Sequence, residues 1–405
     1  MPPSRTNWTN VAFGLCLAFF AAYQFFKLPP VLPVLLATYG YDRTLAGAFM
    51  SIYALAGLLL SFGFGRIIER YGWGGLLQGG LVLLGLGNLL ALIWPHDGWV
   101  MLTARGLEGI GFAVLAVVGP TMANRHAAPR HLPIIIGFTA AWIPVGQLTA
   151  TILAPALLAI QGWQSLWILG LVGCPLFAVW SHRQARNHLA MAGAVRTAGA
   201  QPDTPEDRDP TGHRLLLLAA VVFVLWAGQF FAYMTWLPQY LVEVHGFGVT
   251  SALAGYAVPV SILIAFNLLT GVLLRFGMPL GALLVGALAL QVAVWWLIPV
   301  TGSGWSGVLS LVAYGVGAGI TPTCLFAMPS VAHGQGGAGA SAFGILMTGR
   351  SVGVLFGPIL LAETFRLSGS WDLASPIFGV VTALALICAV WLALEVSRAR
   401  RDSPA

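Results

Sequence analysis

Arg105-Gly106-Leu107-Glu108-Gly109-Ile110-Gly111 places two opposite charges inside an apolar run that extends from Trp99 to Met122. A membrane-spanning helix needs about 20 mostly apolar residues, so this run is long enough to cross a bilayer. A charge at the centre of such a helix costs about 2.5–3.5 kcal/mol, so intramembrane charges are usually functional. Three residues apart, Arg105 and Glu108 lie on nearly one helical face, where each partly neutralises the other.

The three glycines of this stretch, Gly106, Gly109 and Gly111, remove side-chain bulk and let a neighbouring helix come close. A charged pair beside a glycine strip favours a helix that faces an internal cavity and moves against its neighbours. The alternative is a buried ion pair that only holds two helices together. Both interpretations predict that this helix is packed inside a bundle rather than facing lipid.

The composition predicts an all-α membrane protein, since 58% of the chain is hydrophobic and only 8% is charged. Soluble domains average about 25% charged residues. The successive apolar runs predict twelve transmembrane helices joined mostly by short connections. The predicted spans are residues 11–37, 44–66, 74–94, 99–122, 132–160, 165–182, 214–242, 250–274, 279–300, 305–331, 338–362 and 374–397.

Two pseudo-symmetric six-helix bundles are predicted, at residues 1–182 and 214–405, around a polar, proline-rich linker at residues 183–213. The second half repeats features of the first. Arg70-Tyr71-Gly72 corresponds to Arg275-Phe276-Gly277 at a separation of about 205 residues. The common spacing of such matches argues for two similar six-helix halves.

The distribution of basic residues predicts a multi-pass cell-membrane protein with both termini in the cytoplasm. In a bacterium this membrane would be the inner membrane. Of the 19 Lys and Arg residues, fourteen fall on the side that holds the termini, two on the other side and three within spans. The first apolar run exceeds the 7–15 residues of a signal-peptide core, so we expect it to be retained. No basic domain indicates nucleic-acid binding, and the motifs of metal or nucleotide cofactors are absent from the sequence. We expect a monomer in the lipid bilayer.

Gly65-Arg66-Ile67-Ile68-Glu69-Arg70-Tyr71-Gly72 resembles the loop 2–3 signature of the major facilitator superfamily. Gly65, Glu69, Arg70 and Gly72 match, with glutamate in place of aspartate. The usual trailing basic pair is replaced by Trp73-Gly74-Gly75. The resemblance implies that the acidic–basic pair gates the transporter by latching to a neighbouring helix end. The alternative is a solvated surface pair worth about 0–1 kcal/mol.

Three further stretches fit this resemblance. Arg105-x-x-x-Gly109-x-Gly111 is similar to a fourth-helix pattern of the family that is often linked with proton transfer, which implies a coupling role for Glu108 and Arg105. Ile143-Pro144-Val145-Gly146 is reminiscent of a fifth-helix motif of proton-exchanging exporters. The Lys-Leu-Pro-Pro sequence that begins at Lys27 resembles the cyanate/nitroimidazole permease branch.

Polar and aromatic side chains inside the spans are the candidates for binding a solute. Lys27, the only lysine in the chain, and Arg350 join Arg105 as buried cations against a single buried Glu108. This excess of positive charge favours a small organic or inorganic anion. The candidate substrate-binding residues are Tyr23, Gln24, Lys27, Arg105, Gln147, Gln229, Tyr233, Trp236 and Arg350.

Each candidate also has a structural interpretation: Lys27 reaching the headgroups, the aromatic residues packing at the membrane interface, and Arg350 pairing with a distant carboxylate. The resemblance implies a secondary active transporter that works by alternating access, with protons and a small solute as partners. A proton-antiport multidrug or metabolite exporter is the alternative. A membrane enzyme fits less well, because suitable acidic partners for His126 and His131 are missing from their loop. A membrane sensor with the same fold is a further alternative that ranks with the enzyme.

Overall fold

The computed structural model describes residues 5–61, 64–128, 130–131, 135, 138–139, 141–185, 210–333 and 340–402, without side chains for residues 59–73 and some helix ends. Regular structure within these ranges is helical. The α-helices are α1 (Trp8–Phe26), α2 (Leu32–Tyr39), α3 (Arg43–Ser61), α4 (Phe64–Ile93), α5 (Gly98–Arg125), α6 (Trp142–Gln161), α7 (Gln164–Ala185), α8 (Pro210–Glu243), α9 (Val249–Arg275), α10 (Leu280–Leu297), α11 (Trp305–His333), α12 (Ala340–Ser368) and α13 (Ala374–Asp402).

The predicted all-α membrane architecture is confirmed. Eleven helical segments of the described chain are long and apolar enough to cross a membrane, and α1 and α2 form one of them as a broken span, Trp8–Tyr39. Helix α3 adds the shorter apolar stretch Arg43–Leu58. These segments correspond to the twelve predicted spans.

The family signature lies at a different place from the one predicted. The sequence put Gly65 to Gly72 in a loop after a span at residues 44–66, but α3 ends at Ser61 and α4 begins at Phe64. The signature therefore has a helical backbone in the first turns of α4. Apart from its two glycines, its residues have ordinary helix propensity, so nothing local ends the helix there. The side chains of Glu69 and Arg70 are not among those described. The gating role of Gly65, Glu69, Arg70 and Gly72 therefore stays a prediction.

The break between α1 and α2 is set by Pro29 and Pro30, which have no backbone N–H to continue the helix. Helix α1 ends with Lys27 as its C-cap, and the 3-10 turn Pro29–Val31 leads into α2. The Phe25 and Phe26 carbonyls consequently lose their usual N–H donors four residues later, whereas Tyr23 keeps the Lys27 N–H. This break places Lys27 at an irregular point inside the span.

The chain folds into two compact units. One comprises Met1–Ala200 with Val249–Leu253, and the other comprises Gln201–Gly248 with Ala254–Ala405. Residues 186–209 of the predicted linker lie outside the described residues. The first unit carries α1–α7 and the second carries most of α8–α13, six predicted spans in each.

In the second unit α12 packs closely against α8 through glycines four residues apart. A methyl group at Gly353 would lie 2.2 Å from the Val224 carbonyl oxygen, and one at Gly357 would lie 2.1 Å from that of Gly228. Such distances are far inside van der Waals contact, so the two backbones touch directly. Small residues at helix interfaces permit this approach in membrane proteins.

We expect Gly353→Ala to destabilise the protein by about 1–3 kcal/mol, because the added methyl group has no space and must push α8 away. Gly344→Ala on the same helix is the matched control, since a methyl group there meets no described atom within 4 Å. Thermal unfolding of both purified variants in detergent measures the difference. Equal melting temperatures would contradict the close packing.

Candidate functional site

The first unit contains a group of interacting polar side chains at the centre of its helices, which we call the charged cluster. It draws on α1, its C-cap, α3, α4 and α5. Its members are Gln24, Lys27, Tyr53, Asn88, Arg105 and Glu108. Five of them are 0% exposed and Tyr53 is 1% exposed, so the cluster is sealed from solvent in this conformation.

Lys27 donates from Nζ to three oxygen acceptors. The distances are 2.7 Å to Gln24 Oε1, 2.5 Å to Asn88 Oδ1 and 3.0 Å to Glu108 Oε1. Its ammonium also lies 4.5 Å from the centre of the Trp167 ring, a distance at which cation–π attraction contributes. Lys27 therefore does not extend to lipid headgroups; it is held inside the bundle.

Arg105 hydrogen-bonds to the end of α1 and to side chains beside it. Its guanidinium donates to the carbonyl oxygens of Gln24 at 3.2 Å, Phe25 at 3.1 Å and Phe49 at 3.2 Å. The Phe25 carbonyl would normally bond the N–H four residues later, and that residue is Pro29, which has none. Arg105 thus caps α1 at its proline break, where a positive charge also complements the helix dipole.

Glu108 is the single carboxylate of the cluster, and both of its oxygens are used. Oε2 accepts from Arg105 at 2.6 Å and from Tyr53 Oη at 2.6 Å, while Oε1 accepts from Lys27 at 3.0 Å. The pairing of Arg105 with Glu108 along one face of the helix is as the sequence predicted. With both cations protonated, the three charged residues carry a net charge of about +1.

Glycines make room for the cluster. A methyl group at Gly87 would lie 2.6 Å from Glu108 Cγ, and one at Gly170 would lie 2.5 Å from Asn88 Oδ1. The predicted glycine strip of α5 is confirmed in part. Methyl groups at Gly109 and Gly111 would meet α3 and α4 at 3.0 and 2.4 Å, whereas Gly106 has an ordinary neighbour at 3.5 Å.

The second unit has a neutral counterpart centred on Gln229, which we call the neutral cluster. Gln229 Oε1 accepts from Trp295 Nε1 and from Tyr314 Oη, each at 2.8 Å. The Tyr233 ring stacks on Tyr314 with 3.6 Å between ring centroids. Gln229 follows Gln24 by 205 residues, the spacing of the internal repeat. Equivalent glutamines thus organise a charged cluster in one unit and an aromatic, uncharged one in the other.

Arg350 is the predicted substrate residue that stays partly exposed. Its guanidinium lies over the Phe231 ring at 5.3 Å from the centroid. No acidic side chain of the described residues lies within ion-pair distance of it. Arg350 therefore keeps hydrogen-bond donors for another group.

The remaining predicted substrate residues are buried. Tyr23 donates its hydroxyl to the Leu166 carbonyl at 2.8 Å, and Trp236 donates its indole N–H to the Pro358 carbonyl at 3.0 Å. Gln147 is 1% exposed on α6. The substrate-binding roles of these three residues stay predictions.

Two members of the charged cluster, Tyr53 and Asn88, were not among the predicted site residues. Asn88 interrupts the apolar run of α4, and an amide inside a membrane span is itself a signal for an interhelical hydrogen bond. Tyr53 offered no such signal, because tyrosine is common in apolar helices. In the described part of the chain, no group of three or more His, Cys, Asp or Glu side chains could hold a metal ion.

Comparisons with known proteins agree with the architecture. The family model described as Major Facilitator Superfamily matches residues 14–341. A solved structure of a peptide transporter POT mutant in complex with sulfate superimposes with a TM-score of 0.74 at 16% identity. The superposition covers 99% of this chain and 97% of that one.

Of three curated relatives, two are named as transporters of small solutes. A 4-hydroxybenzoate transporter of Pseudomonas putida is 24% identical over 46% of this chain and 42% of its own length. A probable 4-methylmuconolactone transporter of Cupriavidus pinatubonensis is 23% identical over 52% and 50%. The chloramphenicol resistance protein CraA of Acinetobacter baumannii is 28% identical over 43% and 42%. The chain thus spans about half the length of the curated relatives it matches.

Proposed function

Because the chain belongs to the major facilitator superfamily of membrane transporters, we propose that it is a secondary active transporter of a small organic anion. The transported solute is a carboxylate of about the size of a hydroxybenzoate. Transport is coupled to protons and proceeds by alternating access. The protein is not an enzyme, as its family and relatives are transporters.

The observation that carries this proposal is the excess of positive charge in the described spans. The charged cluster has two cations for one carboxylate, and Arg350 adds a cation without a described acidic partner. An arginine inside a membrane protein faces a water-filled cavity, a carboxylate or an anionic ligand. A planar guanidinium binds a carboxylate with two parallel hydrogen bonds, which gives both affinity and orientation.

The names of the relatives support this class of substrate. A 4-hydroxybenzoate transporter and a probable anion transporter of Arabidopsis thaliana are both similar to parts of the chain. The aromatic side chains of the neutral cluster would suit a ring-bearing solute. CraA supports the alternative, an exporter that takes an uncharged drug.

Uptake into proteoliposomes tests the proposal, with radiolabelled 4-hydroxybenzoate, benzoate and chloramphenicol supplied under an inward proton gradient. We expect accumulation of a carboxylate above equilibrium, abolished by a protonophore. Accumulation of none of the carboxylates, with pH-driven movement of chloramphenicol, would instead identify an exporter of uncharged drugs. Absence of any flux would remove the transport proposal for these solutes.

Arg350→Ala should lower the initial rate of carboxylate uptake at subsaturating concentration by about 10- to 100-fold, since a charged hydrogen bond is worth about 1.5–3 kcal/mol. Arg366→Ala on the same helix is the matched control, because Arg366 is exposed and pairs with Glu363. Its uptake should remain at the wild-type rate. Unchanged uptake in Arg350→Ala would remove this residue from the solute site.

A further inference from the structure

The buried charged cluster has one positive charge more than it can neutralise internally. Lys27 and Arg105 are the two cations, and Glu108 is their shared carboxylate. A buried net charge is unfavourable because burial removes most of the water that would solvate it. Arginine does not lose its proton in proteins, and protonation of Glu108 would increase the positive charge. Loss of a proton from Lys27 is the step that makes the cluster neutral.

We propose that Lys27, rather than the predicted Glu108, carries the proton that the transporter exchanges; this rests on the proposed proton-coupled function. In the step, one N–H bond of the ammonium breaks and its electron pair stays on Nζ. The proton leaves to water with the positive charge. The reverse step reloads the amine from the other side of the membrane, so no oxidant or other reactant is needed.

The surroundings of Glu108 oppose its use as the proton carrier. Hydrogen bonds from Arg105, Tyr53 and Lys27 all point at its two oxygens. Hydrogen bonds of this kind and nearby cations favour the ionised form of a carboxyl group. Protonation would require at least one of these donors to leave while both cations stayed buried.

The surroundings of Lys27 can accommodate both of its forms. As an ammonium, it donates three hydrogen bonds to Gln24, Asn88 and Glu108. As an amine, it keeps two donors and gains a lone pair that needs a donor. Gln24 Nε2 is buried and has no hydrogen-bond partner among the described residues. Turning the Gln24 amide over would bring this N–H group to the amine in place of Oε1.

No second carboxylate balances Lys27 in the part of the chain that the structure describes. Helix α5 contributes Arg105 and Glu108, α4 contributes the neutral Asn88, and α6 contains no charged residue. The remaining titratable side chains are Tyr53 of α3 within the cluster and Tyr23 of α1 and Cys174 of α7 beside it. None of these replaces Glu108 as a permanent negative charge.

This assignment sets the direction of coupling. The cluster is positive when Lys27 holds its proton and neutral when it does not, so an anion binds better to the protonated protein. Coupling between two ligands is reciprocal, and the bound anion therefore favours the proton. A proton and an anion that favour each other travel in the same direction, which makes the transporter a symporter.

Because Lys27 is the only lysine in the chain, labelling with [¹³Cε]lysine places one signal at this site in a protein produced with a lysine-free tag. NMR of the wild-type protein in detergent, recorded from pH 5 to 10, follows its protonation directly. We expect the signal to move from the ammonium to the amine position as the pH rises. The midpoint of this change should coincide with the midpoint of uptake plotted against pH. A signal that stays at the ammonium position over this range would overturn the assignment.

Two variants fix the charge of residue 27 and provide the transport readout. Lys27→Met is always neutral and Lys27→Arg is always charged, so both should reduce proton-driven accumulation of 4-hydroxybenzoate at least 10-fold. Titration of Lys27 without solute movement would leave Lys27 as the titrating group of the cluster and contradict the proposed transport function. Proton-driven uptake with a permanently charged Lys27 would support the proposed function and overturn the assignment of Lys27.

Discussion

Replacement of Arg105 with alanine is expected to abolish the stable fold of the first unit. The change removes Arg105 donors from the Gln24, Phe25 and Phe49 carbonyls, and it takes one of two cations from Glu108. The Gln24 carbonyl keeps its bond from Tyr53, and the Phe49 carbonyl lies within α3, so Phe25 is the carbonyl that loses its donor. Breaking a buried ion pair costs about 3–5 kcal/mol, and the stranded Phe25 carbonyl adds about 1–3 kcal/mol. The total approaches the 5–15 kcal/mol that stabilises a typical protein.

Size-exclusion chromatography of the detergent extract, followed by a thermal melt, measures this effect. Arg105→Lys tests the capping role specifically, because it keeps the charge but not the planar set of donors. We expect this variant to be destabilised nearly as much as Arg105→Ala. Arg366→Ala serves as the exposed control. A stable Arg105→Lys protein would show that charge alone is needed at this position.

The reason for this role could be read only in part from the sequence. The separation of Arg105 from Glu108 predicted their pairing, whereas the first span was predicted to run unbroken from residue 11 to residue 37. The sequence could not predict that Arg105 caps the end of α1. Arg105 and Phe25 lie 80 residues apart, and hydrophobic periodicity does not encode which helices meet. Interhelical contacts depend on rotation and crossing angle, which local patterns leave undetermined.

The same limit applies to the other buried residues. The sequence allowed Lys27 either to reach the headgroups or to bind a solute, and only the helix packing placed it against Asn88 and Glu108. The 205-residue spacing of the repeat also separates Gln24 from Gln229, but the repeat could not tell that one cluster is charged and the other aromatic. Span positions, in contrast, followed closely from apolar run lengths, because the bilayer fixes the length of a helix.

Glu108→Gln is the second change with a large expected effect, and it isolates the electrostatic balance of the cluster. Glutamine has nearly the same shape and still accepts hydrogen bonds, but it leaves Lys27 and Arg105 buried without a counter-charge. We expect a loss of about 3–5 kcal/mol, as for a buried pair from which one partner is removed. Glu363→Gln, whose partner Arg366 is likewise three residues away but exposed, should cost about 0–1 kcal/mol.

The double variant Glu108→Gln with Lys27→Met separates charge from shape. If positive charge destabilises the single variant, removing the second cation returns the cluster to its original net charge and restores part of the lost stability. Residues in direct contact give such non-additive effects, so the double variant should melt at a higher temperature than Glu108→Gln alone. Additive losses would instead mean that Lys27 is needed for packing against Trp167 and Asn88. Because Lys27→Met alone keeps the Arg105–Glu108 pair, it should be the most stable of these variants.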